Sequence, residues 1–250
     1  MIDTHCHLDQ FLNPFETLKY LEKHGVKTIS VTNLPSHFEE GYRFYEKFEF
    51  TIPALGFHPL MIKNDIDIEN EIRLFKKFVT KTDFIGEVGL DFSSREKDFI
   101  DIQKYIFEQI VSHVTDFDKI FSIHSRKAEN EIFRILNKYS IRKVILHWFT
   151  GSTSQAKKAL ELGYYFSINK NMLSTNKGKK LIDILPKERV LIETDSPFTC
   201  SKNSHYPLKK LSIIYQTLSK YWGFSEEKTF NIVSNNFKEL RNRNPEKKVA

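Results

Sequence analysis

Cysteine is nearly absent: Cys6 and Cys200 are the only two in 250 residues. So few exclude a disulfide scaffold, and both are expected to stay as thiols in a reducing compartment. No apolar run is long enough to span a bilayer. The N-terminus lacks the basic-then-apolar layout of a signal peptide. A soluble, cytoplasmic protein without membrane contacts is the expectation. Linkers, low-complexity tracts and repeats beyond strand–helix alternation are also missing, so one domain over residues 1–250 is expected, and a monomer. Charge of one sign is in only small excess. Lys and Arg number 38 against 32 Asp and Glu, a net charge of +6, which modestly favours a polyanionic partner such as nucleic acid.

What is present begins with Met1-Ile2-Asp3-Thr4-His5-Cys6-His7. Alternate side chains of a strand share a face, so His5 and His7 point together and Cys6 points away. Two neighbouring imidazoles make half a site for a divalent metal. Seven further strands are expected at 28–32, 51–56, 84–89, 120–123, 144–146, 164–168 and 190–194. Helical patterns separate nearly all of them. Asn13-Pro14-Phe15-Glu16 reads as a helix start, with Phe15, Leu18 and Leu21 as its buried stripe and Gly25 as its stop. Phe38, Tyr42 and Tyr45 mark a second helix, Ile68, Ile72 and Phe75 a third, and Ile102, Ile106 and Ile110 a fourth. Further helices are expected at 128–136, around 156–160, and at 209–222 and 225–241, before a frayed tail from Asn244 to Ala250. With 40% hydrophobic residues and 22 Phe, the chain can bury a sizeable core. Eight short apolar strands alternating with helices predict an α/β fold, a single (β/α)8 TIM barrel with extra C-terminal helices.

Barrel enzymes carry their chemistry at the carboxyl ends of the strands. The polar residues there are His5, His7, His58, Glu87, Asp91, His124, His147 and Asp195. A chance histidine at one strand end is unremarkable. Imidazoles and carboxylates at several strand ends in register point to a metal site for Zn, Mn or Fe, with the carboxylates also suiting Mg.

Six ordered motifs resemble those of the TatD family of metal-dependent deoxyribonucleases. They are His5-Cys6-His7-Leu8-Asp9, Gly56-Phe57-His58-Pro59, Glu87-Val88-Gly89-Leu90-Asp91, His124-Ser125-Arg126, His147-Trp148-Phe149-Thr150-Gly151 and Glu193-Thr194-Asp195-Ser196-Pro197. The resemblance runs to Asn235-Asn236-Phe237. It implies an amidohydrolase-like TIM barrel and a nuclease that hydrolyses DNA, or RNA, from a 3′ end. It implies two divalent ions (Mg, Mn or Zn), the first held by His5, His7 and Asp195, with Glu87 bridging to a second held by His124 and His147. Glu87 and Asp195 become the catalytic pair, Asp195 as general base. His58 is expected to contact the scissile phosphate or to support a ligand, Arg126 to fork onto a phosphate, and Asp91 to orient a ligand histidine. Family members also occur in multi-gene phage-defence systems, which leaves protein partners from such a system open alongside the nucleic acid.

Other readings stay open. The same ligands suit deacylation of an aminoacyl-tRNA or hydrolysis of a small amide or ester, and an inactive barrel could serve as a nucleic-acid-binding subunit. A carbohydrate hydrolase built on Glu87 and Glu193 leaves the histidines unexplained. The lysines at 177, 179, 180, 209 and 210 read first as solvated helix faces. Phe57, Phe92, Trp148 and Phe198 read first as core, with base stacking as the alternative. Two loops depart from the family pattern, Phe92-Ser93-Ser94-Arg95 and Lys202-Asn203-Ser204-His205-Tyr206-Pro207, so substrate preference is not legible.

Overall fold

Residues 1–62, 66–93, 97–200 and 206–243 are described by the computed structural model. Ser94 and Arg95, the stretch Lys202 to His205 and the expected frayed tail lie outside them. Eight strands run in chain order: β1 (Ile2–Cys6), β2 (Lys27–Val31), β3 (Thr51–Phe57), β4 (Phe84–Asp91), β5 (Ile120–Arg126), β6 (Val144–Leu146), β7 (Tyr165–Ile168) and β8 (Val190–Ile192). Every neighbouring pair is parallel. The sheet curls back on itself. Asp195 N donates to His5 O at 3.0 Å and His7 N to Ser196 O at 2.8 Å, joining the last strand to the first. Deeper in this seam the Asp3 carboxylate accepts from Thr194 N (2.9 Å), Thr194 Oγ1 (2.6 Å) and Tyr206 OH (2.6 Å). Burial pushes Asp3 up to about 6, and these donors limit the rise. The expected TIM barrel is therefore the fold, and β4, buried along its whole length, shows why its strands read as apolar runs.

Around the sheet lie α1 (Pro14–His24), α2 (Pro35–Tyr45), α3 (Ile68–Phe78), α4 (Lys97–His113), α5 (Glu129–Lys138), α6 (Thr153–Glu161), α7 (Lys170–Ser174), α8 (Asn176–Ile184), α9 (Leu208–Trp222) and α10 (Glu226–Asn242). One apolar layer packs helices on strands. A second fills the barrel from Ile2, Ile29, Val31, Ala54, Phe84, Ile120, Ile145, Tyr165 and Leu191, and Phe237 and Leu240 of α10 close it from below. The Phe237 ring stacks on Phe84, with centroids 6.1 Å apart. The chemistry is thus confined to the opposite, carboxyl-terminal mouth.

One expectation about a helix face fails for a geometric reason. Positions 15, 18 and 21 drift around the helix by about 60° per step, because 3.6 residues make a turn. Leu18 and Leu21 are buried with Thr17, whereas Phe15 is 49% exposed under the Lys19 ammonium. The expected fourth helix is present as α4, with Ile106 and Ile110 buried and Ile102 exposed. Gly25 stops α1 in the left-handed region at φ 58°, as expected, but the Asn13 side chain makes no capping bond. Among the described residues no helix is long and apolar enough to cross a membrane.

Candidate metal centre

The pairing register breaks between Asp3 and Cys6 in β1, between Leu55 and Phe57 in β3, and between Ile85 and Val88 in β4. Such irregularities re-aim side chains at a strand end. At this level β2 reaches across β3. Thr32 N donates to Gly86 O and Glu87 N donates to Thr32 O, both at 3.1 Å. The crossing is possible because residue 56 is glycine, since a Cβ there would lie 1.7 Å from Thr32 O and 2.7 Å from Glu87 N. Gly56 therefore supports the backbone that carries Glu87.

Glu87 is the hub of the mouth. Its Oε2 lies 3.2 Å from His5 Nε2 and 3.1 Å from His7 Nε2. Its Oε1 lies 2.8 Å from His124 Nδ1, 3.3 Å from His58 Nε2 and 3.5 Å from His147 Nε2. Asp195 Oδ1 stands 3.8 Å from His5 Nε2 and 3.7 Å from His7 Nε2. The two imidazoles meet Nε2 to Nε2 at 3.3 Å. Three sets have their ligand atoms within 4.8 Å of one another: His5, His7 and Glu87; His5, His147 and Asp195; and His58, Glu87 and His124. Cys6 is turned out of the site, with its thiol on Ser196 O at 3.3 Å.

Four of the five rings, those of His5, His58, His124 and His147, are held from behind. His124 spans Glu87 and, through Nε2, Asp91 Oδ2 at 2.8 Å; Asp91 also accepts from Ser93 N at 2.8 Å. His5 Nδ1 is 2.8 Å from Ser122 Oγ. His58 Nδ1 accepts from Leu60 N at 3.1 Å, so its neutral tautomer carries the proton on Nε2, toward Glu87. Sequence reasoning gave Glu193 no role here. It is fully buried, accepting from His147 Nδ1 (3.0 Å), Trp148 N (3.1 Å), Asn169 Nδ2 (2.9 Å) and the Ser167 hydroxyl. It thereby leaves His147 Nε2 facing the cluster. The signal was its spacing two residues before Asp195, which sets it one pleat deeper on the same face.

The electrostatics follow from four carboxylates, Glu87, Asp91, Glu193 and Asp195, none of which pairs with a Lys or Arg among the described residues. Burial would raise Glu87, but His58, His147 and His5 hold it well below the usual carboxylate range. Asp195 has weaker compensation, and burial lifts it to about 7. Burial and the stacked His147 ring, 3.7 Å away, push His5 down to about 4. Burial also opposes charge on His147, yet Glu193 and Glu87 raise it to about 10. His7 and His124 rise against burial for the same reason. The pocket is thus a cation trap, and in metal-free protein protons on imidazoles supply the charge. The donor set of imidazole nitrogens and carboxylate oxygens, without a thiolate, fits a divalent ion.

Outside the cluster the expected residues scatter. Arg126 ends β5 exposed, two residues beyond His124. Phe57 is core at 1% exposure, Phe92 and Trp148 are half-buried, and Phe198 is exposed. Lys177, Lys179 and Lys180 lie exposed on α8, and Lys177 donates to Thr150 O. Asp195 and Trp148 adopt left-handed backbone, at φ 50° and 36°, in the loops that follow β8 and β6.

The family model described as TatD related DNase matches residues 2–242. A metal-dependent hydrolase of uncharacterised function from Buchnera aphidicola is 32% identical, over 79% of this chain and 81% of that protein. Human deoxyribonuclease TATDN3 is 26% identical, over 94% and 92%. The crystal structure of the TatD homologue YjjV from Escherichia coli shares the fold with a TM-score of 0.84 at 22% identity, over 96% of this chain and 97% of that one.

Proposed function

Since the chain belongs to the TatD-related DNase family of metal-dependent hydrolases, we propose that it is a nuclease that hydrolyses phosphodiester bonds of DNA, releasing nucleotides from a strand end with two divalent ions. The observation that carries this reading is the division of the Glu87 carboxylate, with Oε2 toward His5 and His7 and Oε1 toward His124 and His147. A carboxylate shared in this way suits a two-metal site for in-line displacement at phosphorus. His5, His7 and Asp195 would hold one ion, His124 and His147 the other, and Glu87 both. Bound there, Mg, Mn or Zn would neutralise charge on the scissile phosphate and acidify the attacking water.

The chain's own groups do the rest. Asp195, with Oδ1 facing His5 and His7, would take the proton of the attacking water. His58 directs its Nε2 proton toward Glu87 Oε1 at the inner edge of the mouth, where it would turn to a phosphate oxygen once Glu87 is engaged by metal. Arg126, exposed and without an ion pair among the described residues, is a fork for the neighbouring phosphate. Asp91 and Glu193 keep His124 and His147 from turning.

The test is a panel of single- and double-stranded DNA and RNA, with 3′ or 5′ ends blocked, assayed with Mg, Mn and Zn in turn. Cleavage of DNA that needs metal and stops when one end is blocked is the expected result. No cleavage of any strand with any ion would turn the assignment toward the other hydrolases. Gly56→Ala gives a check on the hub itself. A Cβ at 56 must displace the Thr32–Glu87 backbone contact, so metal affinity should fall roughly 10–100-fold, the range for disturbing groups that orient a ligand. A metal titration of Gly56→Ala indistinguishable from that of the parent would remove Gly56 from this role.

A further inference from the structure

Phe198 stands three residues beyond Asp195 and is 52% exposed. Its turn is pinned: Thr199 N donates to Asp195 O (3.2 Å), Cys200 N to Pro197 O (2.9 Å), Thr199 Oγ1 to Thr194 O (2.6 Å), and the Lys210 ammonium to Thr199 O. The ring is therefore held out by a fixed backbone. It meets His7 edge to face, with centroids 4.8 Å apart and planes at 81°. Exposed Phe15 and Phe44 each carry a lysine over the ring, and half-buried Phe92 carries Lys104. Among the described residues no cation lies over Phe198. Of the four aromatics that flank strand ends, Phe57 is core, and Phe92 and Trp148 are half-buried. Phe198 is the one that offers an exposed ring next to a residue of the metal cluster.

We propose that Phe198 is a specificity-determining residue, the platform on which the nucleobase beside the scissile phosphate stacks. The inference rests on the nuclease reading and extends it. An exposed aromatic on a rigid support binds a planar partner with little ordering cost. A base inside a duplex has both faces occupied by neighbours, so the ring receives only a base that has left its stack. Because every base has a π face, the contact favours nucleotides over other phosphodiesters without selecting sequence. Lys210, braced on the same turn and close enough to Lys170 to feel its charge, puts positive potential along this side of the mouth.

The experiment compares the parent, Phe198→Ala and Phe198→Tyr on two single-stranded DNA oligonucleotides. One is intact, and the other has abasic residues on both sides of the first cleaved linkage. Phe198→Ala should raise KM on the intact strand about fivefold or more, with little change in kcat, the low end of base–aromatic stacking. It should leave KM on the abasic strand unchanged, and Phe198→Tyr should restore the parent's value. An unchanged KM on the intact strand, or an equal rise on both strands, would overturn the role of Phe198 while leaving the nuclease intact. A parent that cleaves neither strand would overturn the nuclease reading, and this inference with it.

Discussion

Replacing Asp195 with Asn is expected to lower turnover by at least about a hundredfold while the barrel stays folded. Removing a positioned general base costs roughly 10²–10⁴ in rate, and an amide cannot take the proton. Folding should survive for two reasons. The group that closes the seam is the Asp195 backbone N–H, donating to His5 O, and Asn keeps it. The backbone at 195 is left-handed at φ 50°, a region that Asn tolerates better than most residues. The carboxylate Oδ1 also faces His5 and His7, so one ion should bind more weakly. Glu87→Gln should differ, chiefly by lowering metal content, because a neutral amide cannot bridge two cations. Metal stoichiometry and phosphodiesterase rate, measured side by side for both variants and the parent, separate the roles. If Asp195→Asn retains near-parental turnover on every strand that the parent cleaves, the catalytic assignment to Asp195 is wrong.

The fold was legible because a barrel strand is buried on both faces, so most of the eight stretches read as short apolar runs ending near a polar residue. The cluster was legible for the same reason. His5, Glu87, His124, His147 and Asp195 stand where those runs stop, and the barrel topology brings the stops together. What stayed hidden depends on neighbours distant in sequence. Glu193 lies inside an apparent strand, and only the inward turn of Ser167, Asn169 and His147 makes its buried charge sensible. Gly56 looks like a strand glycine until Thr32 is seen crossing to Glu87. Asp3 reads as one more polar residue near the N-terminus, although it completes the β8–β1 seam with Thr194 and Tyr206. The difference between Phe198, exposed, and Phe57, buried, is one of solvent access, which residue type does not encode.

Metal affinity should climb steeply with pH. In metal-free protein His147 sits at about 10 and Asp195 at about 7. A cation that enters the cluster must displace their protons, because ligands bind deprotonated. His7 and His124 also hold their protons more tightly than free imidazoles. Below pH 7 at least two protons therefore leave, and the apparent affinity should rise by at least about 100-fold per pH unit, with a shallower slope above pH 7. The metal-free fold should show the opposite trend. His147 binds its proton more tightly folded than unfolded, so its contribution is fully present below pH 6.5 and is lost as pH rises toward 10. Asp195, with its acid pKa raised by burial, destabilises the fold in the same direction up to pH 7. His5, lowered to about 4, works the other way, but only below pH 6.5. From pH 7 to 9 His147, His7 and His124 all act in this direction, and the metal-free protein should lose about 1.4 kcal/mol per pH unit for each of these protons still held. The gap in melting temperature between metal-loaded and chelated protein should widen across this window. Calorimetric titrations of the ion in buffers of different ionisation enthalpy would count the released protons directly. A count near zero at pH 6.5, with a melting gap that does not change from pH 7 to 9, would mean that the cluster is not proton-filled before metal arrives.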